Sequence, residues 1–378
     1  MLHLTTTDIN EITLEIKNLV KNNTALISIG EHTNINIDNL ISSLNEASIN
    51  FIGGGFPMVI WKNEVQDKGI IVHELSNVVE TYTIRNISQK EFKIPKTNFK
   101  ENTDYSLITF VDGLTSNISN YLSKLYQEYG MKTNYLGGGA GSLSLQQKPC
   151  VFSKEGFLED TAVVSIIEMK SSIGVEHGWQ KLDGPYVVTK TNGNSIEAIN
   201  WDAPFDLYKK VIEKDSGMKF SDTGFFELAM RYPLGVIKQG TDYIIRDPLS
   251  TDENNSLVCV GEVEENTMIN IMKGDKDLLI NAARTAAESV ANQAKKPKFA
   301  MVIDCISRIL YLKDDFKHEL ENVSEAISNQ HPTIPTCGAL TLGEISSYGN
   351  GYIEFYNKTI VISMFSKFII LFKIIVKI

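Results

Sequence analysis

A unit of one strand, one helix and one glycine-rich segment recurs along this chain, and this recurrence constrains the fold more than any other feature. Residues 25–61 read as an apolar strand, a polar loop, a helix-like segment and GGG before another apolar run. Residues 106–145 repeat that order, and NYLGGG at 134–139 matches NFIGGG at 50–55 at an offset of 84 residues. A looser copy spans 299–345. The repeats predict three units with the order strand, helix, glycine turn, strand.

Helical spacing in the second unit supports this interpretation. Ile118, Tyr121, Leu122, Leu125 and Tyr126 recur at helical intervals, which places them on one apolar stripe for a sheet to cover. Strand candidates rich in Val, Ile, Tyr and Thr outnumber the helices, and several follow one another directly. We therefore predict an α+β fold in which helices cover mixed or antiparallel sheets.

The glycine runs at 53–55 and 137–139 have two explanations. A left-handed residue that ends a helix, or a close approach between two backbones, selects glycine for structural reasons. Alternatively, the backbone at Gly138 and Gly139 faces a ligand. A dinucleotide-binding motif does not fit, because its glycines lie between a strand and the next helix, whereas these glycines follow a helix.

An acidic composition limits the partners of the chain. The formal net charge is −10 and the pI is near 5.2, which argues against a general nucleic-acid binder. The four cysteines form no CxxC pair, which is typical of reduced thiols and offers no zinc-type spacing. The N-terminus lacks the basic start and apolar core of a signal peptide. We expect a cytoplasmic protein without a transmembrane segment.

Local catalytic motifs are missing from the sequence. The six histidines form no HExxH, and no serine lies in a GxSxG turn. A cysteine and a histidine that meet only in the fold remain an open alternative. Because no motif names a reaction, we expect a protein that is not an enzyme.

Two strand ends offer candidate ligand contacts. His177 follows a strand and lies close to Trp179, which suits the lip of a pocket or an axial metal ligand. We favour the alternative, a turn in which the imidazole and the indole form ordinary hydrogen bonds. Another apolar strand ends in Asp304 and Cys305, one turn before Arg308. The planar guanidinium group of Arg308 is well placed there to bind an anionic ligand. The alternative is a helix start beside a buried thiol.

Glu344 is the lone acid in TCGALTLGEISSYGNG, residues 336–351. Burial of a carboxylate without a partner is costly, so Glu344 needs a cation or a donor. Arg308 or Arg231 could supply it, and so could the amino group of a ligand. We favour an arginine partner.

Arg231 and Arg246 lie near prolines in RYPLGV and YIIRDPL. Each could pair with an acid such as Asp242 or Glu262. We interpret these arginines as structural.

Three longer segments of the chain resemble the FIST family (F-box and intracellular signal transduction proteins). They are HGWQKLDGPYVVTKTNGNSIEAINWDAPFDLYKKVI, FAMVIDCISRILYLKDDFKHELENV and IPTCGALTLGEISSYGNGYIEFYNKTIVI. HGWQ, the Cys-x-Ser-Arg strand end, and G-x-x-T-x-GEI followed by Asn-Lys-Thr are the specific parts. The resemblance extends from residue 24 to residue 362.

The resemblance implies a bacterial sensory module that binds a small ligand, such as an amino acid, and signals through a separate partner, such as a histidine kinase. One branch of the family is similar to this chain and binds haem through a histidine as a nitric-oxide sensor. In that alternative His177 is the position of the metal ligand. Asp304 departs from the family, in which a small or aromatic residue commonly precedes the cysteine.

The motifs and the resemblance together predict where the ligand binds and where the domains lie. We expect the ligand site where the glycine turns, with Gly138 and Gly139, converge with Cys305, Arg308 and Glu344. The predicted domains are an N-terminal helical lead-in at 1–23, a FIST N-terminal domain at 24–202, a FIST C-terminal domain at 203–362 and an atypical apolar tail at 363–378.

The C-terminal tail is apolar but is interrupted by Lys367, Lys373 and Lys377. Its longest uncharged run, FIILF, is far shorter than the roughly 20 residues of a membrane-spanning helix. A buried or edge strand is the simplest interpretation. An interfacial tail or an atypical end of the reading frame are the alternatives.

Overall fold

The computed structural model describes residues 1–238, 243–348 and 352–366. The predicted tail therefore lies outside the described residues from residue 367 onward. In the described ranges no helix is both long enough and apolar enough to cross a membrane.

Helices and strands have the following bounds. The helices are α1 (Ile9–Val20), α2 (Ile37–Glu46), α3 (Ile118–Tyr129), α4 (Pro204–Ser216), α5 (Phe220–Thr223), α6 (Phe225–Ala229), α7 (Lys276–Gln293), α8 (Ile306–Leu312) and α9 (Phe316–Ser328). The strands are β1 (Leu2–Leu4), β2 (Thr24–Gly30), β3 (Asn50–Phe56), β4 (Met58–Trp61), β5 (Glu64–Gln66), β6 (Ile70–Leu75), β7 (Val78–Arg85), β8 (Tyr105–Asp112), β9 (Thr133–Ala140), β10 (Val151–Ser153), β11 (Gly156–Leu158), β12 (Thr161–Ile167), β13 (Lys170–Glu176), β14 (Gln180–Asn192), β15 (Ser195–Ile199), β16 (Leu234–Val236), β17 (Ile244–Thr251), β18 (Leu257–Val260), β19 (Met268–Lys273), β20 (Pro297–Cys305), β21 (Thr336–Thr341), β22 (Glu344–Tyr348), β23 (Tyr352–Tyr356) and β24 (Ile360–Ser366).

The described strands form three six-stranded sheets and one closed barrel. The first sheet has the order β1-β6-β2-β3-β10-β11, the second β7-β12-β8-β9-β22-β23, and the third β13-β24-β20-β21-β4-β5. At the centre of each sheet lie two parallel strands that are joined through one or two helices, and the strands around them are antiparallel. The predicted α+β class and the recurrence of strand, helix and strand are confirmed.

Each unit also contributes a hairpin to the sheet of another unit. Strands β4–β5 follow the first unit and pair with β21 of the third sheet. Strands β22–β23 follow the third unit and pair with β9 of the second sheet, and β10–β11 follow the second unit and pair with β3 of the first. This cyclic exchange ties the three sheets into one body, and the second and third sheets contain strands from both halves of the chain.

The glycine runs lie inside strands β3 and β9, so the prediction of a glycine turn after each helix is wrong. Helix α2, for example, ends at Glu46, and the capping residue after it, Ala47, has a right-handed conformation. Gly53, Gly137 and Gly338 occupy equivalent positions, each directly beside a residue of the parallel neighbour. A Cβ at these positions would lie 2.6, 1.7 and 1.7 Å from that neighbour's carbonyl oxygen. Close approach of two backbones is therefore what requires glycine.

The predicted apolar stripe of the second unit is confirmed. Ile118, Tyr121, Leu122 and Leu125 are buried on α3, and Tyr126 is half-buried at the rim of the stripe. Helices α7 and α9 pack on each other and cover the third sheet with small and branched apolar side chains. The barrel, in the order β14-β15-β18-β17-β16-β19, is packed against α4 to α6.

Replacement of Gly338 by alanine tests the backbone contact. The added Cβ would lie 1.7 Å from the carbonyl oxygen of Val302, and rigid strands cannot separate locally, so we expect a loss of more than about 3 kcal/mol in the free energy of unfolding. Gly55→Ala is the matched control, because its Cβ would meet nothing closer than the Cys150 carbonyl oxygen at 3.8 Å. Equal denaturation midpoints for the two variants would contradict the assignment.

Candidate functional site

The residues predicted at the end of β20 form a buried polar network centred on Arg308. Its guanidinium is fully buried and forms a two-point ion pair with Glu319 of α9, with Nε–Oε1 and Nη2–Oε2 distances of 3.0 and 2.6 Å. The remaining N–H groups donate to the carbonyl oxygens of His177, Lys358 and Leu279. All five donors of Arg308 therefore have protein acceptors.

Glu344 lies next to Arg308 but is not its partner. Its carboxyl group accepts hydrogen bonds from the Thr341 hydroxyl at 3.0 Å, from the Thr359 backbone N–H at 3.3 Å and from the Cys305 thiol. Burial nevertheless raises the pKa of Glu344 to about 8, because a charged carboxylate loses its hydration there. The predicted arginine partner is wrong: Arg308 forms its ion pairs with Glu319, at 2.6 Å, and with Asp304, at 3.4 Å.

A second buried cation extends the network toward the barrel. The ammonium of Lys358 lies 3.1 Å from Asp247 of β17, donates to the Met230 carbonyl oxygen and stacks over the Trp179 ring. Burial raises the pKa of both Asp247 and Asp304, and for Asp304 the neighbouring Glu319 carboxylate adds to the effect. The network therefore contains more carboxyl groups than cations, and protonation of carboxyl groups balances the charge.

The residues of this region that were predicted to contact a ligand contact other protein groups instead. Arg308 has no donor left for a ligand, and Cys305 and Glu344 are buried against each other. At Gly138 a Cβ would lie 2.7 Å from the Thr341 side chain, and at Gly139 it would lie 2.8 Å from the Cα of Gly113. The prediction that the Gly138 and Gly139 backbone faces a ligand is therefore corrected: it faces packed protein atoms.

His177 has a structural role in the turn between β13 and β14. Its Nδ1 accepts the Trp179 backbone N–H at 2.9 Å, and its carbonyl oxygen accepts from Arg308. Beside it, a Cβ at Gly178 would already lie 2.7 Å from the backbone of Leu279. These contacts explain His177 as a residue that fixes the turn, and its role as a haem ligand stays a prediction.

A cysteine and a histidine do meet in the fold, although no local motif indicates it. His73 Nε2 lies 3.0 Å from Cys337 Sγ, between the first and third sheets. Complete burial lowers the pKa of His73 to about 3 and raises the pKa of the Cys337 thiol. A nucleophilic pair needs a thiolate and access to substrate, and this pair has neither.

A groove that opens to solvent lies between α3, the barrel and the β22–β23 hairpin. We call it the barrel groove; its volume is about 370 Å³. Its walls include Ser119, Leu122, Ser123, Tyr126, Val236, Ile244, Arg246, Glu262, Glu264, Thr267, Tyr352 and Phe355. A neighbouring cavity of about 350 Å³ shares Ser119, Glu262 and Phe355 with it.

Arg246 is the buried charge of the barrel groove. Its Nε donates to the Glu262 carbonyl oxygen at 2.9 Å, and its Nη1 donates to the carbonyl oxygens of Ile245 and Phe355. Burial lowers the pKa of this guanidinium. The sequence suggested a pair with Glu262, but the contact is to the backbone of Glu262. The other suggested acid, Asp242, lies outside the described residues.

A third cavity lies at the end of the parallel strands of the first sheet and has a volume of about 300 Å³. Its acid, Glu31, is engaged by the Ser142 hydroxyl, the Leu143 backbone N–H and Lys148. The charges of this cavity therefore compensate one another, unlike those of the barrel groove.

Comparison with known families gives a match over both halves of the chain. The FIST N domain matches residues 60–202, and the FIST C domain matches residues 204–347. No curated protein is similar enough to the chain to count as a match.

The pKa of Glu344 predicts a pH dependence of stability. Between its ordinary value of 4.5 and about 8, the folded protein keeps a proton that the unfolded chain has lost, so stability falls as pH rises, by up to about 1.4 kcal/mol per pH unit. Glu344→Gln removes this titration, and chemical denaturation of the variant should show a correspondingly smaller fall between pH 5.5 and 7.5. The exposed substitution Glu128→Gln is the control. Parallel curves for wild type and Glu344→Gln would contradict the assignment.

Proposed function

Because the chain belongs to the FIST family, whose domains are sensory domains of signal transduction, we propose that it binds a small, amino acid-like ligand and signals through a separate protein. The ligand binds in the barrel groove. The observation that carries this proposal is the position of the groove between the two matched regions: α3 belongs to the N-domain match, and the barrel residues 244–267 belong to the C-domain match.

A ligand in this position contacts both domains at once, and such interfaces are common places for small-molecule sites. The groove volume of about 370 Å³ is also within the usual range for such sites. Its polar groups are few and come from separate elements, with Arg246 on β17, Glu262 beyond β18 and Ser119 on α3. This arrangement supports recognition of a polar molecule of small size.

Occupancy of the groove would be transmitted through the hairpin that forms its third wall. Arg246 donates to the Phe355 carbonyl oxygen of β23, and the paired strand β22 begins with Glu344 in the Arg308 network. A ligand that favours one position of this hairpin would change a surface that a partner reads. A histidine kinase is one class of protein that could read it.

A thermal-shift screen of amino acids and small organic acids tests the proposal, because a ligand that binds the native state raises its Tm. We expect at least one compound to stabilise the wild type in a concentration-dependent manner. Ser123→Trp places an indole in the groove from the exposed side of α3 and should abolish that shift.

Ser42→Trp is the matched control, because Ser42 is exposed on α2, outside the groove. It should retain the full ligand-induced shift. A screen with no stabilising compound would contradict the proposed function, and equal shifts in Ser123→Trp and Ser42→Trp would place the ligand elsewhere.

A further inference from the structure

The charges of the barrel groove identify the chemical class of its ligand. We propose that Arg246 binds a carboxylate of the ligand and that Glu262 binds an ammonium group, so that the site selects zwitterions. This inference rests on the proposed function, since it concerns the same groove. It identifies the residues that anchor the ligand and the charges that the ligand must carry.

Arg246 has donor capacity that the described protein does not use. Its side chain is 6% exposed, and three of its five N–H groups donate to carbonyl oxygens. Within the described residues no carboxylate lies within ion-pair distance of it, and Nη2 forms no hydrogen bond. Arg246 is one of the residues that line the barrel groove, so its unused donors belong to a side chain of the groove wall.

Arg246 is hydrogen-bonded only to carbonyl oxygens, and the carboxylates of Glu354 and Glu262 attract its charge from beyond ion-pair distance, so its compensation is incomplete. Pairing with an anion recovers part of the desolvation cost of such a group, and a guanidinium is the side chain best suited to a carboxylate. The three backbone contacts fix Arg246 in place before the ligand arrives, which lowers the entropy lost on binding. Arg246 therefore has the properties of an anion anchor.

The rim of the groove carries the opposite charge. Glu262 and Glu264 both line it, and the Glu262 carboxylate accepts the Asn117 backbone N–H at 3.2 Å, which orients it. The third acid of the groove, Glu354, is already paired with Lys238. A purely anionic ligand would be repelled by Glu262 and Glu264, whereas a ligand with an ammonium group next to its carboxylate is attracted by both.

The neighbouring cavity gives room for the rest of the ligand. It meets the barrel groove at Ser119, Glu262 and Phe355, and it adds about 350 Å³. A ligand whose charged end lies between Arg246 and Glu262 can extend its side chain into this space. Larger amino acids or short peptides should therefore bind more tightly than glycine.

Isothermal titration of the wild type with four probes tests the charge pattern: an amino acid from the stabilising set, acetate, methylammonium and inorganic phosphate. We expect the amino acid to bind at least about 30-fold more tightly than any of the other three, since each lacks one of the two contacts. Arg246→Met should weaken amino acid binding by at least about 30-fold. Glu262→Gln should weaken it by about 10-fold without weakening acetate.

Glu262→Gln keeps the oxygen that accepts from Asn117, so it tests the inference even if Arg246→Met fails to fold. Glu253→Gln, which is exposed and outside the groove, is its control and should leave the affinities unchanged. Phosphate or acetate binding as tightly as the amino acid would overturn the zwitterion assignment, and so would an unchanged amino acid affinity in a folded Arg246→Met or in Glu262→Gln. In that case the Ser123→Trp result still decides whether the groove is the ligand site.

Discussion

The guanidinium of Arg308 is the contact on which the arrangement of the domains depends. It donates hydrogen bonds to Glu319 of α9, to Leu279 of α7, to His177 in the turn before β14 and to Lys358 in the turn before β24. Removal of a partner from so deeply buried a network leaves charges without compensation, which costs several kcal/mol. The polar residues that mark the C-terminal part of the sequence therefore hold elements together, and this is why they are unavailable to a ligand.

The cyclic exchange of hairpins connects this network to the barrel groove. The hairpin β22–β23 begins with Glu344 inside the network and ends with Phe355 and Tyr356 beside Arg246. Close approach of the parallel strands at Gly53, Gly137 and Gly338 sets the geometry of all three sheets, so the hairpins meet their sheets at equivalent registers. The β22–β23 hairpin thus belongs both to the buried Arg308 network and to the wall of the barrel groove, which a sensory protein needs in order to transmit binding.

The sequence was sufficient to predict the repeats, the α+β class, the buried face of α3 and the family. These features follow from local periodicity and from motifs that are contiguous in the chain. It failed for Arg308 and Glu344, because their partners Glu319, Lys358 and Thr359 are brought together only by the fold. Arg246 was noticed as a structural residue, but periodicity cannot show that two carbonyl oxygens from distant segments hold it at a groove.

The central claim is that a small zwitterion binds in the barrel groove and is sensed by both matched domains. Hydrogen–deuterium exchange, with and without the amino acid that most raises the Tm, tests it most directly because it locates the protected amides. The account predicts that protection is concentrated in β17, β23 and the first turn of α3, and that it is lost in Arg246→Met. Protection confined to the cavity at Glu31, or to segments remote from the groove, would contradict the account.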